Sequence, residues 1–149
     1  MLWLYVLLIT LLPWVELRAS IPAGLALGLD VVPLFVFVIT INTLLALPIY
    51  VGLSLTYERF FKRSSFIRNL VEKTHEKGRP YVEKYGLLGL SIFIGIPLPG
   101  SGVWSGTLVA WLFGMKKRKV LLAAFIGNLV AGTIVTALSL GLLSFLFSS

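Results

Sequence analysis

Charge is confined to short intervals of this chain, and that confinement decides what it can fold into. Of its 13 basic and 6 acidic residues, twelve lie between Glu58 and Lys84, and four more form the run Lys116, Lys117, Arg118 and Lys119. Only Glu16, Arg18 and Asp30 lie elsewhere. Three stretches, 1–57, 85–115 and 120–149, are therefore almost free of charge. A helix needs about 20 apolar residues to cross a hydrocarbon core of about 30 Å. With 58% hydrophobic and 13% charged residues, against about a quarter charged in a soluble domain, the chain reads as an all-α polytopic membrane protein.

The order of the charges predicts how it enters the bilayer. The basic clusters at 58–84 and 116–119 both belong in the cytoplasm by the positive-inside rule. A single crossing between them would put one on the wrong side, and two crossings need about 40 residues where 85–115 is shorter. The middle of that stretch, Gly95-Ile96-Pro97-Leu98-Pro99-Gly100-Ser101-Gly102, also breaks any continuous helix, because each proline lacks a donor and clashes with the preceding turn. A re-entrant hairpin solves both problems: one half-helix over roughly 86–95, a turn, and a second over roughly 103–115. Residues 120–147 then read as a full crossing.

The first half follows the same plan, with an apolar run to Pro13, a broken polar stretch over 16–22, a short apolar piece to Asp30, and a crossing over 31–57. At an offset of 86, Pro13 meets Pro99, Gly28 meets Gly114 and Asn42 meets Asn128. One crossing per half makes the halves inverted repeats, residues 1–57 and 85–149. Residues 58–84 join them as a cytoplasmic amphipathic helix, with Phe60, Phe61, Ile67, Leu70 and Val71 toward the acyl boundary and basic residues toward anionic lipid heads. Gly78 and Pro80 are expected to end that helix. Residues 1–15 lack the basic n-region of a cleavable signal, since the first basic residue is Arg18.

Several chemistries are excluded. There is no cysteine, hence no disulfide or thiolate chemistry. His75, the one histidine, sits among Lys73, Glu76 and Lys77 and reads as a surface residue. No metal set, cofactor motif or nucleophile–base pair is present, so neither an enzyme nor a metal site is expected. The basic balance reads as membrane orientation and lipid contact rather than nucleic-acid binding.

What remains is a binding site between the broken segments. Irregular backbone at membrane depth persists only against protein or a watery cavity, so the two loops should meet near the midplane. Ser20 with Pro22 looks like a helix start, as does Ser101 with Gly102. Amides at two such starts favour an anion such as a phosphate or carboxylate, and Arg18 adds a full charge. Glu16 is its natural partner, either in a structural pair or as a proton carrier. Desolvation favours its neutral form and Arg18 its charged one. Asn42 and Asn128 either bond between helices or line the path. Pro97, Pro99 and Gly100 complete the expected site. Gly127, Gly132 and Gly141 permit close helix packing, and with two crossings per chain a homodimer is expected.

Pro13, Glu16, Arg18, Ile21-Pro22 and Gly24, followed by Ile96-Pro97-Leu98-Pro99-Gly100, Gly102, Trp104, Gly106 and Gly127-Asn128, resemble the family of small multidrug export proteins, a distant relative of the DedA/VTT superfamily. That resemblance covers nearly the whole chain and implies paired re-entrant hairpins in inverted repeats. It also implies movement of polyprenyl-phosphate or phospholipid head groups between leaflets, coupled to an ion gradient, with Glu16 and Arg18 as the ionisable pair. The second loop here holds no arginine, where DedA proteins carry them. The first expectation is thus a translocase of an amphiphilic anion in the cell membrane. A proton-coupled exporter of cationic amphiphiles is the alternative, and a non-transporting scaffold a third.

Overall fold

The computed structural model describes residues 1–98 and 100–148, with the side chain of Tyr81 outside the description. The described residues contain helices and no strand. Helix α1 (Leu2–Leu11) is wholly apolar and stops before Pro13, with Leu12 already extended, as the residue before a proline prefers. A four-residue turn leads into α2 (Glu16–Ala26), which packs back on α1. Then follow α3 (Val31–Leu44), α4 (Ala46–Thr56) and a π-helical turn over Tyr57–Phe61. Pro48 cannot donate to the carbonyl four residues back, and the helix is interrupted at Leu45 for that reason. Helix α5 (Ser65–Gly95), α6 (Val103–Leu112) and α7 (Lys117–Phe147) complete the chain.

Two helical stretches among the described residues are long and apolar enough to cross a membrane, Val31–Phe61 and Lys117–Phe147. Their outer faces agree. On α7, Leu122, Phe125, Leu129, Leu138, Leu142 and Phe145 are exposed, a surface water would not tolerate on this scale.

Helix α7 is the shared wall of two cores. Its first turns, through Val120, Ala123 and Ala124, pack with Ile49, Leu90, Ile94 and Val103. Further along, Ala131 and Val135 pack with Leu17, Ile21, Leu34, Val38 and Ile39. Small residues let α5 and α7 approach closely: a Cβ on Gly127 would lie 2.7 Å from Ile94 Cβ and 2.8 Å from the Ser91 carbonyl. Gly132 serves the same purpose against Ile39, whereas a Cβ on Gly141 would meet nothing, so close packing does not explain that glycine. Gly127→Val is expected to lower unfolding free energy in detergent by about 1–3 kcal/mol, the usual penalty of overpacking, while Gly141→Val leaves it unchanged. Denaturant titration of both variants checks this.

One turn geometry occurs twice at the offset read from the sequence. Gly28 and Gly114 both adopt left-handed φ, +84° and +72°. Leu29 N–H donates to Gly24 O at 3.0 Å, and Met115 N–H to Ala110 O at 2.9 Å. Each turn closes its helix as a Schellman motif. Asp30 and Lys116 then take nearly identical extended conformations before α3 and α7 begin.

Three expectations are corrected. Gly78 and Pro80 do not end a helix: α5 runs through both without interruption. Proline costs one backbone bond, and the carbonyl it frees lies on an exposed segment that water can reach. Gly78 is there because the Phe113 ring occupies the space a side chain would need. Second, 17–22 is regular helix with Pro22 inside it; the break lies at 12–16, where Trp14 and Glu16 take left-handed φ of 68° and 45°. Third, Ser20 starts no helix but is fully buried within α2. His75 is exposed as expected, with Nε2 3.1 Å from the Trp111 carbonyl at the end of α6.

Candidate functional site

The site grows from the ends of two helices that cannot satisfy themselves. The first amides of α6 and the last carbonyls of α5 flank the segment 96–102, and each set lacks partners within its own helix. Both find them on α2. Val103 N–H donates to Glu16 Oε2 at 3.0 Å and Trp104 N–H to Oε1 at 3.0 Å. Two residues on, Arg18 Nη2 reaches the carbonyls of Ile96 at 2.7 Å, Ser101 at 3.2 Å and Ile94 at 3.3 Å, together with Ser101 Oγ at 3.2 Å.

The signs of these charges match the helices they cap. A carboxylate sits on the positive N-terminus of α6 and a guanidinium on the negative C-terminus of α5. Arg18 Nη1 also lies 3.6 Å from Glu16 Oε2, and the two side chains are 10% and 0% exposed. Glu16 is the one fully buried acidic side chain among the described residues. Its backbone φ of 45° is left-handed, a conformation that costs a non-glycine residue of order 1–3 kcal/mol. The two amide bonds on its carboxylate are what hold it there.

Behind Glu16 lies a buried amide pair. Asn42 Nδ2 donates to Asn128 Oδ1 at 3.1 Å and is 3.3 Å from Glu16 Oε2, while Asn128 Nδ2 donates to Thr43 Oγ1 at 3.0 Å. The two asparagines are fully buried, and they are the residues the offset of 86 equates. Gly102 closes the remaining gap, since a Cβ there would collide with the Glu16 carboxylate.

Glu16, Arg18, Asn42, Asn128, Ser101 and Gly102 thus form one connected network. Ser101 caps no helix; its Oγ donates within the loop, to Ile96 O at 2.7 Å and Leu98 O at 2.8 Å. Ser20 lies one turn beyond Glu16 with its hydroxyl unpartnered. Gly100 joins the network through Ser105, whose Oγ donates to the carbonyls of Gly100 at 2.5 Å and Gly102 at 3.3 Å. No polar contact among the described residues brings in Pro22 or Pro97, and Pro99 lies outside the described residues. Sequence reasoning missed Thr43 and the backbone groups of Ile94, Ile96, Val103 and Trp104. Thr43 carried a signal, as a second polar residue beside Asn42 in an uncharged crossing. The backbone groups carried one too, since a helix–break–helix segment always leaves orphans of both signs.

A groove of about 550 Å³ opens beside the network, between α4 and α6. Pro13 and Trp14 line one side, Ile49 and Leu53 another, and Trp104 also lines it, its buried indole N–H having no acceptor. Its walls are apolar, while the turn at Trp14 and the start of α6 connect it directly to Glu16.

A protein-family model described as "Putative small multi-drug export protein" matches residues 16–134. No curated protein and no solved structure matches. The matched range runs from Glu16 to beyond Asn128, and so includes every residue of the network.

Proposed function

The chain belongs to the small multi-drug export protein family, and on that premise we propose that it moves an anionic amphiphile across the membrane in a proton-dependent cycle centred on Glu16. The single observation that carries this reading is the carboxylate on the α6 amides. A helix start with free N–H groups and a nearby guanidinium is an anion site. Here the anion occupying it is the protein's own. A phosphate or carboxylate headgroup competes for the same donors, those of Val103, Trp104 and Arg18, and protonation of Glu16 weakens the occupant. Substrate anion and proton then enter together, with the apolar tail in the α4–α6 groove.

The architecture proposed with it has α1–α2 and α5–α6 as re-entrant hairpins of inverted repeats, entering from opposite faces. What supports this is length and recurrence. Helices α1, α2 and α6, of 10 or 11 residues, and the uncharged end of α5 from Tyr85 to Gly95 are about 15 Å long, half the hydrocarbon thickness, and the Gly28 and Gly114 turns recur at one offset. Residues 58–84 and 116–119 then face the cytoplasm of a cell-membrane protein. A lipid-linked phosphate is the substrate class this favours, in keeping with the resemblance to DedA relatives.

The family's description favours a second reading, export of a cationic amphiphile on Glu16. One variant separates them. Glu16→Gln keeps the shape and removes the competing charge. Charge-assisted bonds are worth about 1.5–3 kcal/mol each. At neutral pH the variant is therefore expected to bind a phosphate-headed amphiphile at least about tenfold more tightly, with the wild type approaching it as pH falls. Equilibrium binding in proteoliposomes measures this. An unchanged pH response overturns the anion reading, and loss of binding of a lipophilic cation supports the second.

A further inference from the structure

On the opposite side of α6 from the α4–α6 groove, α5 and α6 enclose another cleft of about 550 Å³. Helix α6 lies antiparallel to α5, as its contacts show: Phe113 meets Gly78, and Gly106 approaches Leu90 and Ile94. The cleft runs along α5 from Thr74 and Lys77 to Phe93, with Val109 and Phe113 as its facing wall. From this geometry we infer a seat for one anionic phospholipid, its acyl chain between Gly86 and Phe93 and its phosphate at Lys77.

Two independent observations carry the inference. The first is Gly89. A glycine inside a helix costs roughly 0.5–1 kcal/mol against alanine, and most interior glycines of this protein return that cost by admitting a neighbour. Gly89, like Gly52 and Gly141, admits none, since a Cβ there would meet nothing within 4 Å, and of the three it alone lines this cleft. The recess at Gly89 leaves room for something outside the chain. The second is polarity. Helix α5 carries charge up to Lys84 and none from Tyr85 to Gly95, so the cleft crosses from a head-group level into hydrocarbon. Its uncharged part, Tyr85 to Phe93, measures about 12 Å of helix, within one leaflet of a 30 Å core. At the charged end Lys77 has no ion-pair partner among the described residues, and its flexible stem lets the ammonium follow a phosphate at the surface.

These features select the occupant. A volume of 550 Å³ lies in the range of ligand-binding cavities, and one charged end on an apolar trough fits a molecule with a single anionic head. A second copy of the chain fits worse. An isologous contact sets a patch against itself, which would bring two Lys77 ammonium groups together along a face with no acidic lining residue. The seat lies outside the Glu16 network and does not rest on the translocation reading.

The test is lipid retention. Full-length protein, reconstituted with equal phosphatidylglycerol and phosphatidylcholine and then extracted, is analysed by native mass spectrometry. Wild type is expected to retain one phosphatidylglycerol at least fivefold over phosphatidylcholine. Gly89→Trp, filling open space, is expected to abolish retention of either lipid, and Lys77→Glu to abolish the preference while leaving retention. Lys62→Glu, an equal charge change outside the cleft, is expected to change neither. The inference is overturned if Gly89→Trp leaves retention intact, if Lys62→Glu removes the preference as fully as Lys77→Glu, or if Gly89→Cys forms disulfide dimers in native membranes. Folding of each variant is checked by helical circular dichroism. Should Gly89→Trp fail to fold, Gly89→Leu replaces it with the same expected loss.

Discussion

Arg18→Ala lowers the unfolding free energy in detergent micelles by about 3–5 kcal/mol, the range for removing one member of a buried charge pair. Two kinds of partner are stranded at once. Glu16 is left fully buried without its counter-ion, and the carbonyls of Ile94, Ile96 and Ser101 lose their shared donor. Arg18→Lys recovers little. The fork of the guanidinium faces the carboxylate with Nη1 and the carbonyls with Nη2, and a single ammonium nitrogen cannot reproduce that span. The double variant Glu16→Ala/Arg18→Ala is expected to lose less than the sum of the single losses, because it leaves no uncompensated charge. Additive losses would mean that the two side chains act independently, and reversible denaturant unfolding of the four proteins decides it.

Gly102→Ala has an effect of similar size, about 3–5 kcal/mol, although it adds one methyl group. Its φ of −90° is open to any residue, so the cost is steric and not conformational. The new Cβ falls on the Glu16 carboxylate, driving it off the Val103 and Trp104 amides and leaving a buried charge without donors. Gly100→Ala is the informative control. Gly100 has a φ of +87° but open space around it, so its cost is the roughly 1–2 kcal/mol of a left-handed alanine. In the background of Glu16→Ala, Gly102→Ala should cost almost nothing further. The same unfolding assay reads all of these, and a Gly102→Ala protein as stable as Gly100→Ala would refute the placement of Glu16 on α6.

The large features were legible because they follow from solvent alone. Charge-free runs of sufficient length gave the long apolar helices containing Asn42 and Asn128, and a Pro/Gly cluster located the break before α6. Asn42 and Asn128 stood out as polar residues in apolar stretches, and the structure brings them into contact. What misled was local punctuation. Gly78 and Pro80 look like a stop, but Gly78 answers to the Phe113 ring packed on it, and that contact between distant segments leaves no local trace. Ser20 and Pro22 look like a start, yet the true start is set by Pro13 and by the strained backbone at Trp14 and Glu16. Glu16 and Arg18 were legible as partners. Their main partners, the ends of α5 and α6, were not, because only the tertiary fold places those backbone groups beside α2.

The uninterrupted course of α5 has a mechanical consequence. Thirty-one residues make a rod about 46 Å long, and Gly127 holds it tightly against α7 near one tip. The long arm carries the charged segment from Ser65 to Lys84; the short arm ends at the carbonyls gripped by Arg18. Because both arms are one helix, a displacement of the charged arm is expected to reach the carbonyls held by Arg18 through the backbone itself.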